Sequence, residues 1–194
     1  TYTNTGSPTG DRCFYLEVAP SGWNQNINDP DTAWARGLNA DVSGITNISE
    51  RALVHNNAAQ IGLGYKNSIA IVSQNNNYGG SSSYAADLAR EYSGGTLTDW
   101  YLPTAAELNL LCQWNRGDTR YAIEIGRECG GGAINSASFG AETAGFLESY
   151  YWSSSELSST SVWYLNFSVG TLFVDYKYRG VESTRKFVRP VRSF

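Results

Sequence analysis

Alternating apolar and polar residues predict that the C-terminal part of the chain is β-structure. In the segment 162–168, Trp163, Leu165 and Phe167 would point one way and the residues between them the other. Successive side chains of a strand face opposite sides of a sheet, so this pattern is typical of a strand with one buried face. The segment 171–178 alternates in the same manner. Together the two segments predict neighbouring strands.

Turn residues and short apolar segments predict further β-structure around these two strands. Val169 and Gly170 lie between the two alternating segments and are expected to form the tip of a hairpin. The segment 187–194 predicts a final strand, in which Pro190 requires an edge position or a bulge. Three serines in YWSSSE, residues 151–156, are expected to bond nearby backbone in a turn that precedes the hairpin. An early strand is predicted at Phe14, Leu16 and Val18.

Helical spacing of apolar residues appears in the first two thirds of the chain. The clearest helix follows the short strand DWYL, residues 99–102. There Thr104 is a candidate N-cap and Glu107, three residues later, completes a capping box. Leu108, Leu111 and Cys112 supply the apolar stripe of this helix. Three further helices are predicted at 49–62, 66–73 and 83–92.

Composition indicates one folded domain, residues 1–194, with an acidic balance. Hydrophobic residues make up 41% of the 194, which is enough for a core. The net charge is 14 − 18 = −4, which disfavours non-specific binding to nucleic acid. No apolar run reaches the length of about 18 residues that a membrane span needs.

The three cysteines leave two interpretations open. Their spacing contains no CxxC motif, and one histidine is too few for a Cys₂His₂ zinc site. Cys112 and Cys129 flank a loop-like stretch and are a candidate disulfide, in which case Cys13 would be the odd cysteine. Three buried thiols are the alternative.

The sequence contains no motif that combines the residues needed for catalysis or metal binding. His55 is the only histidine, and no GxSxG elbow accompanies it. Glu107 and Glu156 could be the paired carboxylates of a glycosidase, but Glu107 already has a role in the capping box. Asp29, Asp31 and Asp41 lack the ligand spacing of an EF-hand. We therefore predict a protein that is not an enzyme, with no cofactor and no metal site.

The order of several motifs resembles a known family. These motifs are DWYLPTAAELNLLCQ, YYWSSSE, VWYLNFSVG and FVRPVRSF, with YLEVAPSGW, DPDTAWA and IGLGYKN ahead of them. They resemble bacterial C-type-lectin-fold domains such as the C-terminal domain of collagen-like adhesins. This group also includes the variable proteins of diversity-generating retroelements, in which adenine-directed mutagenesis alters selected codons.

The resemblance implies an α+β, C-type-lectin-like fold, with two main helices on a twisted antiparallel sheet. It also implies binding rather than catalysis, display at the cell surface or outside the cell, and a variable segment at 151–194. The partner would be a protein or glycan on another cell or surface, and oligomers are compatible with the family. Framework positions matched in this segment are Tyr151, Trp152, Ser153, Ser154, Ser155, Glu156, Trp163, Asn166, Phe167, Gly170, Lys177 and Val188 to Arg192.

Ligand-binding residues are expected among the mixed positions between these framework residues. Tyrosine offers a large contact area at low entropic cost, and serine offers adaptable hydrogen bonds. Covering of the sheet by the tyrosines is the structural alternative. The predicted ligand-binding residues are Ser158, Ser159, Ser161, Tyr164, Leu165, Ser168, Val169, Thr171, Phe173, Asp175, Tyr176, Tyr178, Arg179, Glu182 and Arg185.

Two other functions compete with a diversified binding module. A surface adhesin with one fixed glycan ligand has the same fold, and a basic cluster in the tail could attract sulfated sugars. Formylglycine-generating oxidoreductases also share the broad fold, but the reactive cysteine pair they require is not evident. The basic cluster consists of Arg179, Arg185, Lys186, Arg189 and Arg192.

Overall fold

In the part of the chain that the structure describes, the protein has an α+β fold with three α-helices and two sheets. The computed structural model describes residues 15–26, 28–36, 39–49, 61–79, 83–117, 129, 145–178 and 184–194. The helices are α1 (Gly64–Asn77), α2 (Ala85–Glu91) and α3 (Ala105–Asn115). The strands are β1 (Leu16–Val18), β2 (Asp31–Thr32), β3 (Tyr150–Ser158), β4 (Ser161–Asn166), β5 (Thr171–Tyr176), β6 (Lys186–Phe187) and β7 (Val191–Ser193).

The larger sheet has five strands in the order β2-β6-β3-β4-β5. The predicted hairpin is present: β4 and β5 are antiparallel in continuous register from Ser161↔Tyr176 to Asn166↔Thr171. The expectation of an entirely antiparallel sheet is wrong for one pair. β3 and β6 are parallel, in contact through Tyr151↔Phe187. β1 and β7 form the second sheet.

The C-terminal segment is two short strands rather than the single strand predicted from its sequence. β6 belongs to the large sheet and β7 to the small one, and residues 188–190 carry the chain between them. Pro190 has no N–H to donate to a strand partner, while its carbonyl accepts a bond of 2.9 Å from the Ala19 amide. The proline therefore lies where pairing changes sheets.

YWSSSE is also different from the prediction, because it is a buried strand and not a turn. Its residues are the central part of β3, and all six are buried. Ser153 Oγ donates to the Trp163 carbonyl at 2.7 Å, and Ser155 Oγ accepts from the Ala105 amide at 3.0 Å. The register with β4 shifts between Trp152 and Glu156. The Ala105 amide is available to Ser155 because it is the first amide of α3 and has no acceptor within the helix.

The helices agree with the sequence where the structure describes them. The capping box of α3 is present, with Thr104 and Glu107 bonding each other's backbone amides at 3.2 and 2.7 Å. Helices α1 and α2 lie over the predicted segments 66–73 and 83–92. Most of the predicted helix 49–62, with His55, lies outside the described residues. The described residues thus form three α-helices, whereas the resemblance implies two main ones.

Both faces of the central strands are packed. On one face, Trp152 and Val162 join a cluster with Ile71 of α1 and the alanines of α2. On the other face, Tyr151 and Leu165 join a cluster with Leu108 of α3. No helix in the described part of the chain is long and apolar enough to cross a membrane.

Candidate functional site

The strongest candidate site is an aromatic surface that crosses β3, β4 and β5. Residues directly opposite in antiparallel strands point to the same face, and Trp152 pairs with Tyr164, which pairs in turn with Phe173. Tyr150, two residues before Trp152, shares this face. We call Tyr150, Trp152, Tyr164 and Phe173 the aromatic face. Tyr150 and Phe173 are 48% and 41% exposed, whereas Trp152 is buried.

Tyr164 lies at the centre of the aromatic face and contacts the other three rings. Its ring centroid is 5.8 Å from that of Tyr150, 6.1 Å from that of Trp152 and 5.7 Å from that of Phe173. The first two pairs are edge-to-face and the third is stacked, the arrangements that aromatic side chains favour. Burial, with the nearby Asp175 charge, raises the pKa of Tyr164, so its hydroxyl stays protonated.

A charged pair lies against these rings. Lys186 Nζ is 4.3 Å from the Trp152 ring centroid and 4.2 Å from that of Tyr164, within the range of cation–π attraction. It also donates to Asp175 Oδ2 at 2.5 Å. Burial opposes ionisation of Asp175, but the bonds from Lys186 and from the Tyr176 amide outweigh it and lower the pKa of Asp175. The site therefore holds one fixed positive and one fixed negative charge.

A second ion pair anchors the end of β5 beneath the surface. Lys177 Nζ bonds Glu156, and both side chains are fully buried. Lys177 also donates to the Ala40 carbonyl at 2.8 Å, and both Glu156 carboxylate oxygens accept from the Val42 amide. Burial raises the pKa of Glu156, while Lys177 opposes this shift. This network fixes the loop before residue 49 to the large sheet.

The predicted ligand residues are only partly brought together. Tyr164, Phe173 and Asp175 share one face, and Thr171 lies on the same face opposite Asn166. Tyr176 pairs with Ser161 and points to the opposite face from Tyr164, so the two tyrosines do not belong to one surface. Tyr178 follows β5.

Several other predicted residues lie at turns or in the core. Ser158, Ser159 and Ser161 are half-buried around the β3–β4 turn, and Ser168 and Val169 are exposed in the β4–β5 turn. The prediction for Leu165 is wrong, because its side chain is fully buried in the core beside Tyr151 and Phe167. Arg179 and Glu182 lie outside the described residues.

The basic cluster predicted in the tail is separated by the fold. Arg189 is buried and its Nε binds Asp29 at 2.8 and 2.9 Å. Arg192 bonds Asp99 and Glu17, and Arg185 bonds Asp31 at 3.0 Å. With Lys186 paired to Asp175, every described member of the cluster has an acidic partner.

The sequence does not predict that Tyr150, Trp152 and Lys186 surround Tyr164. It predicts Trp152 only as a framework residue and Lys186 only as a member of the basic cluster, and it assigns no site role to Tyr150. Tyr150 and Trp152 alternate as β-strand residues do, so a hairpin register for β3 and β4 would have placed them beside Tyr164. The contact with Lys186 could not be found this way, because β6 is distant in sequence.

The remaining candidate chemistry has structural roles. Glu107 accepts bonds from the Gly62 amide at 2.9 Å and the Tyr101 hydroxyl at 3.0 Å besides its capping bond, and burial raises its pKa. Cys112 and Cys129 form a disulfide with a Cα–Cα distance of 5.8 Å. Within the described residues, no group of three or more His, Cys, Asp and Glu side chains could hold a metal ion.

Comparison with known proteins agrees with the resemblance in the sequence. The search of curated proteins found no match. The sequence model of a domain family, described as the Lcl C-terminal domain, matches residues 22–192, which include all strands of the large sheet. The chain therefore belongs to the Lcl C-terminal domain family.

Proposed function

We propose that the protein is a ligand-binding module, acting in adhesion or as a receptor, and that the aromatic face is its binding surface. The observation that carries this proposal is the exposure of Tyr150 and Phe173 beside the central Tyr164 on three hydrogen-bonded strands. Exposed aromatic side chains are costly to leave in water and are enriched in binding surfaces. Their rigid strands reduce the entropy lost on binding.

The finer form of this proposal is a C-type-lectin-like scaffold that carries variable positions, and the pattern of burial in the segment 151–194 supports it. Of the matched framework residues, all except Asn166 and Arg192 are buried. Of the described positions between them, only Val162, Leu165 and Lys186 are buried. Substitutions at exposed positions usually cost little stability. The segment could therefore change its surface while the core stays constant, as diversification by a retroelement requires.

Binding rather than catalysis is proposed for two reasons. Glu107 and Glu156, the candidate carboxylates, are both fully buried within structural networks. The sulfurs of Cys112 and Cys129 are joined to each other, so neither is a thiolate available to copper as the oxidoreductase alternative requires. A disulfide also supports a location at the cell surface or outside the cell, because disulfides persist in oxidising compartments.

A glycan array tests the aromatic face. The informative variant is the double substitution Tyr150→Ala with Phe173→Ala, since both side chains are exposed and the core should persist. The matched control is Tyr78→Ala with Ile69→Ala, whose side chains are 54% and 47% exposed on α1 and its C-terminal end. We expect binding to fall at least about tenfold in the first variant only, as for centrally placed aromatic residues. Equal binding by both variants would place the site elsewhere.

The gene locus tests diversification separately. We expect a near-copy of the codons for residues 151–194, differing at adenines, beside a reverse-transcriptase gene. Without such a copy, the fixed-ligand adhesin becomes the better description. The tail arginines are already paired with acidic residues, so we expect the glycan of such an adhesin to be one without clustered sulfate groups. Its binding should therefore change little with added salt.

A further inference from the structure

A second site lies away from the aromatic face, in a pocket between the loop after β1 and the end of α2. Its volume is about 430 Å³, in the range of small-molecule sites. The pocket shares no residue with the aromatic face. Its lining combines two aromatic side chains, one carboxylate and two amides, which are Trp23, Tyr92, Glu91, Asn24 and Gln25, together with Pro30, Leu88, Ser93 and Gly94.

The aromatic walls of this pocket are held in place by buried groups. Trp23 and Tyr92 are edge-to-face with ring centroids 5.3 Å apart, and Tyr92 packs on Trp100 at 4.9 Å. Trp23 Nε1 donates to Asp29 Oδ1 at 3.0 Å, and Asp29 is itself bonded by the buried Arg189. The orientations of the two rings are therefore fixed before a ligand binds, so that little side-chain entropy is lost on binding.

The pocket carries a single negative charge among the described residues that line it. This charge is Glu91, which is exposed at the rim, and none of these lining residues is a lysine or an arginine. The neighbouring Arg90 donates to the Thr98 and Trp100 carbonyls and lies over the Tyr65 ring, so it is engaged elsewhere. The pocket is also at the C-terminal end of α2, where carbonyl groups lack intrahelical donors.

From these features we propose that the pocket binds an organic cation, specifically an alkylated ammonium group such as that of choline. Aromatic faces attract such groups through their quadrupoles, and methylated ammonium loses little hydration when it is enclosed. Glu91 would supply a charge at the rim, while Asn24 and Gln25 could accept bonds from a hydroxyl on the ligand. This proposal is independent of the ligand at the aromatic face.

Titration calorimetry with choline and its neutral isostere, 3,3-dimethyl-1-butanol, tests the proposal. The two probes have nearly the same shape, so a difference in affinity reports the charge. We expect choline to bind at least about tenfold more tightly than the isostere, as a desolvated cation–π contact predicts. Equal affinities, or no binding of choline at millimolar concentration, would overturn the proposal.

Variants separate this pocket from other surfaces. Tyr92→Leu should weaken choline binding at least about fivefold through loss of the ring, and Glu91→Gln should weaken it severalfold and reduce its salt dependence. Because Tyr92 packs on Trp100, the fold of Tyr92→Leu must first be checked by circular dichroism; Glu91→Gln, which is exposed, carries the test if that variant unfolds. Tyr150→Ala is the matched control and should bind choline normally. Choline binding that survives Glu91→Gln but fails in Tyr150→Ala would contradict the assignment.

The alkylammonium group could come from a free metabolite or from a lipid headgroup. Flotation with phosphatidylcholine vesicles, compared with phosphatidylglycerol vesicles, distinguishes these sources. Binding to the first vesicles alone, with competition by choline, indicates a headgroup. Binding of choline without binding of vesicles indicates a free ligand.

Discussion

Lys186 and Asp175 connect two strands that are not neighbours in the sheet, because β3 and β4 lie between β6 and β5. The lysine ammonium reaches its partner beside the rings of Trp152 and Tyr164. The ion pair therefore links β6 to β5 across the rings of Trp152 and Tyr164.

Replacing Lys186 by methionine should destabilise the protein in a pH-dependent way. The variant leaves the partly buried Asp175 without its cation, at a cost of about 1–2 kcal/mol in the free energy of unfolding at pH 7. The pKa of Asp175 is lowered in the folded state, so its stabilising contribution is present above the ordinary pKa and disappears as pH falls through the lowered value. Urea denaturation at pH 7 and pH 3 should show a deficit that shrinks in acid.

The exposed Lys66 of α1 provides the control for this experiment. Lys66→Met should change the free energy of unfolding by less than about 0.5 kcal/mol at either pH. A deficit in Lys186→Met that is the same at pH 7 and pH 3 would show that packing, and not the ion pair, is lost.

Asp87 should make the protein less stable as pH rises from about 4 to 6. Burial raises its pKa to about 6, although Asn75 Nδ2 donates to it at 2.8 Å. The folded state then binds a proton that the unfolded state has released, so stability falls over this window and stays level above it. Asp87→Asn should remove this decline, a difference of up to about 3 kcal/mol. Thermal unfolding between pH 4 and pH 7 measures it, and parallel curves for both proteins would refute the shift.

Breaking the Glu156–Lys177 pair should be more harmful than removing both charges. Lys177→Met alone leaves a buried carboxylate and should cost about 3–5 kcal/mol. Combining it with Glu156→Gln removes the uncompensated charge and should restore part of that loss. The comparison is a double-mutant cycle of urea denaturation, and additive effects in the two single variants would argue against coupling.

Reduction of the disulfide should destabilise the described fold. Cys112 and Cys129 are separated by 17 positions, and closing a loop of that size stabilises a protein by about 3 kcal/mol. A reducing agent should therefore lower the melting temperature of the natural protein. The double variant Cys112→Ser with Cys129→Ser should melt at the lower temperature with or without reductant.

Local patterns in the sequence are sufficient to predict helices that bury one apolar stripe and strands that bury one face. Trp163, Leu165 and Phe167 are buried as their alternation predicts, and the Thr104 capping box marks the beginning of α3. Such features depend on side chains a few residues apart, so sequence alone identifies them.

Long-range polar partners explain why other predictions differ from the structure. The serines of β3 resemble turn residues because their partners, the backbone at Trp163 and Ala105, are absent from the local sequence. Arg189 resembles a surface cation because Asp29, its partner, lies 160 residues away along the chain. Pairing of this kind is determined by the fold, and the composition of a segment does not reveal it.

The pairing of β1 with β7 has a mechanical consequence. Tyr15 and Phe194 exchange backbone bonds of 3.0 and 3.2 Å at the same end of the small sheet. Tension that pulls these two residues apart would break the backbone hydrogen bonds between β1 and β7 one after another, beginning at this end of the pair. Tension applied at Phe194 alone and resisted by a ligand on the aromatic face would instead pass from β7 through residues 188–190 into β6, and from β6 into the large sheet.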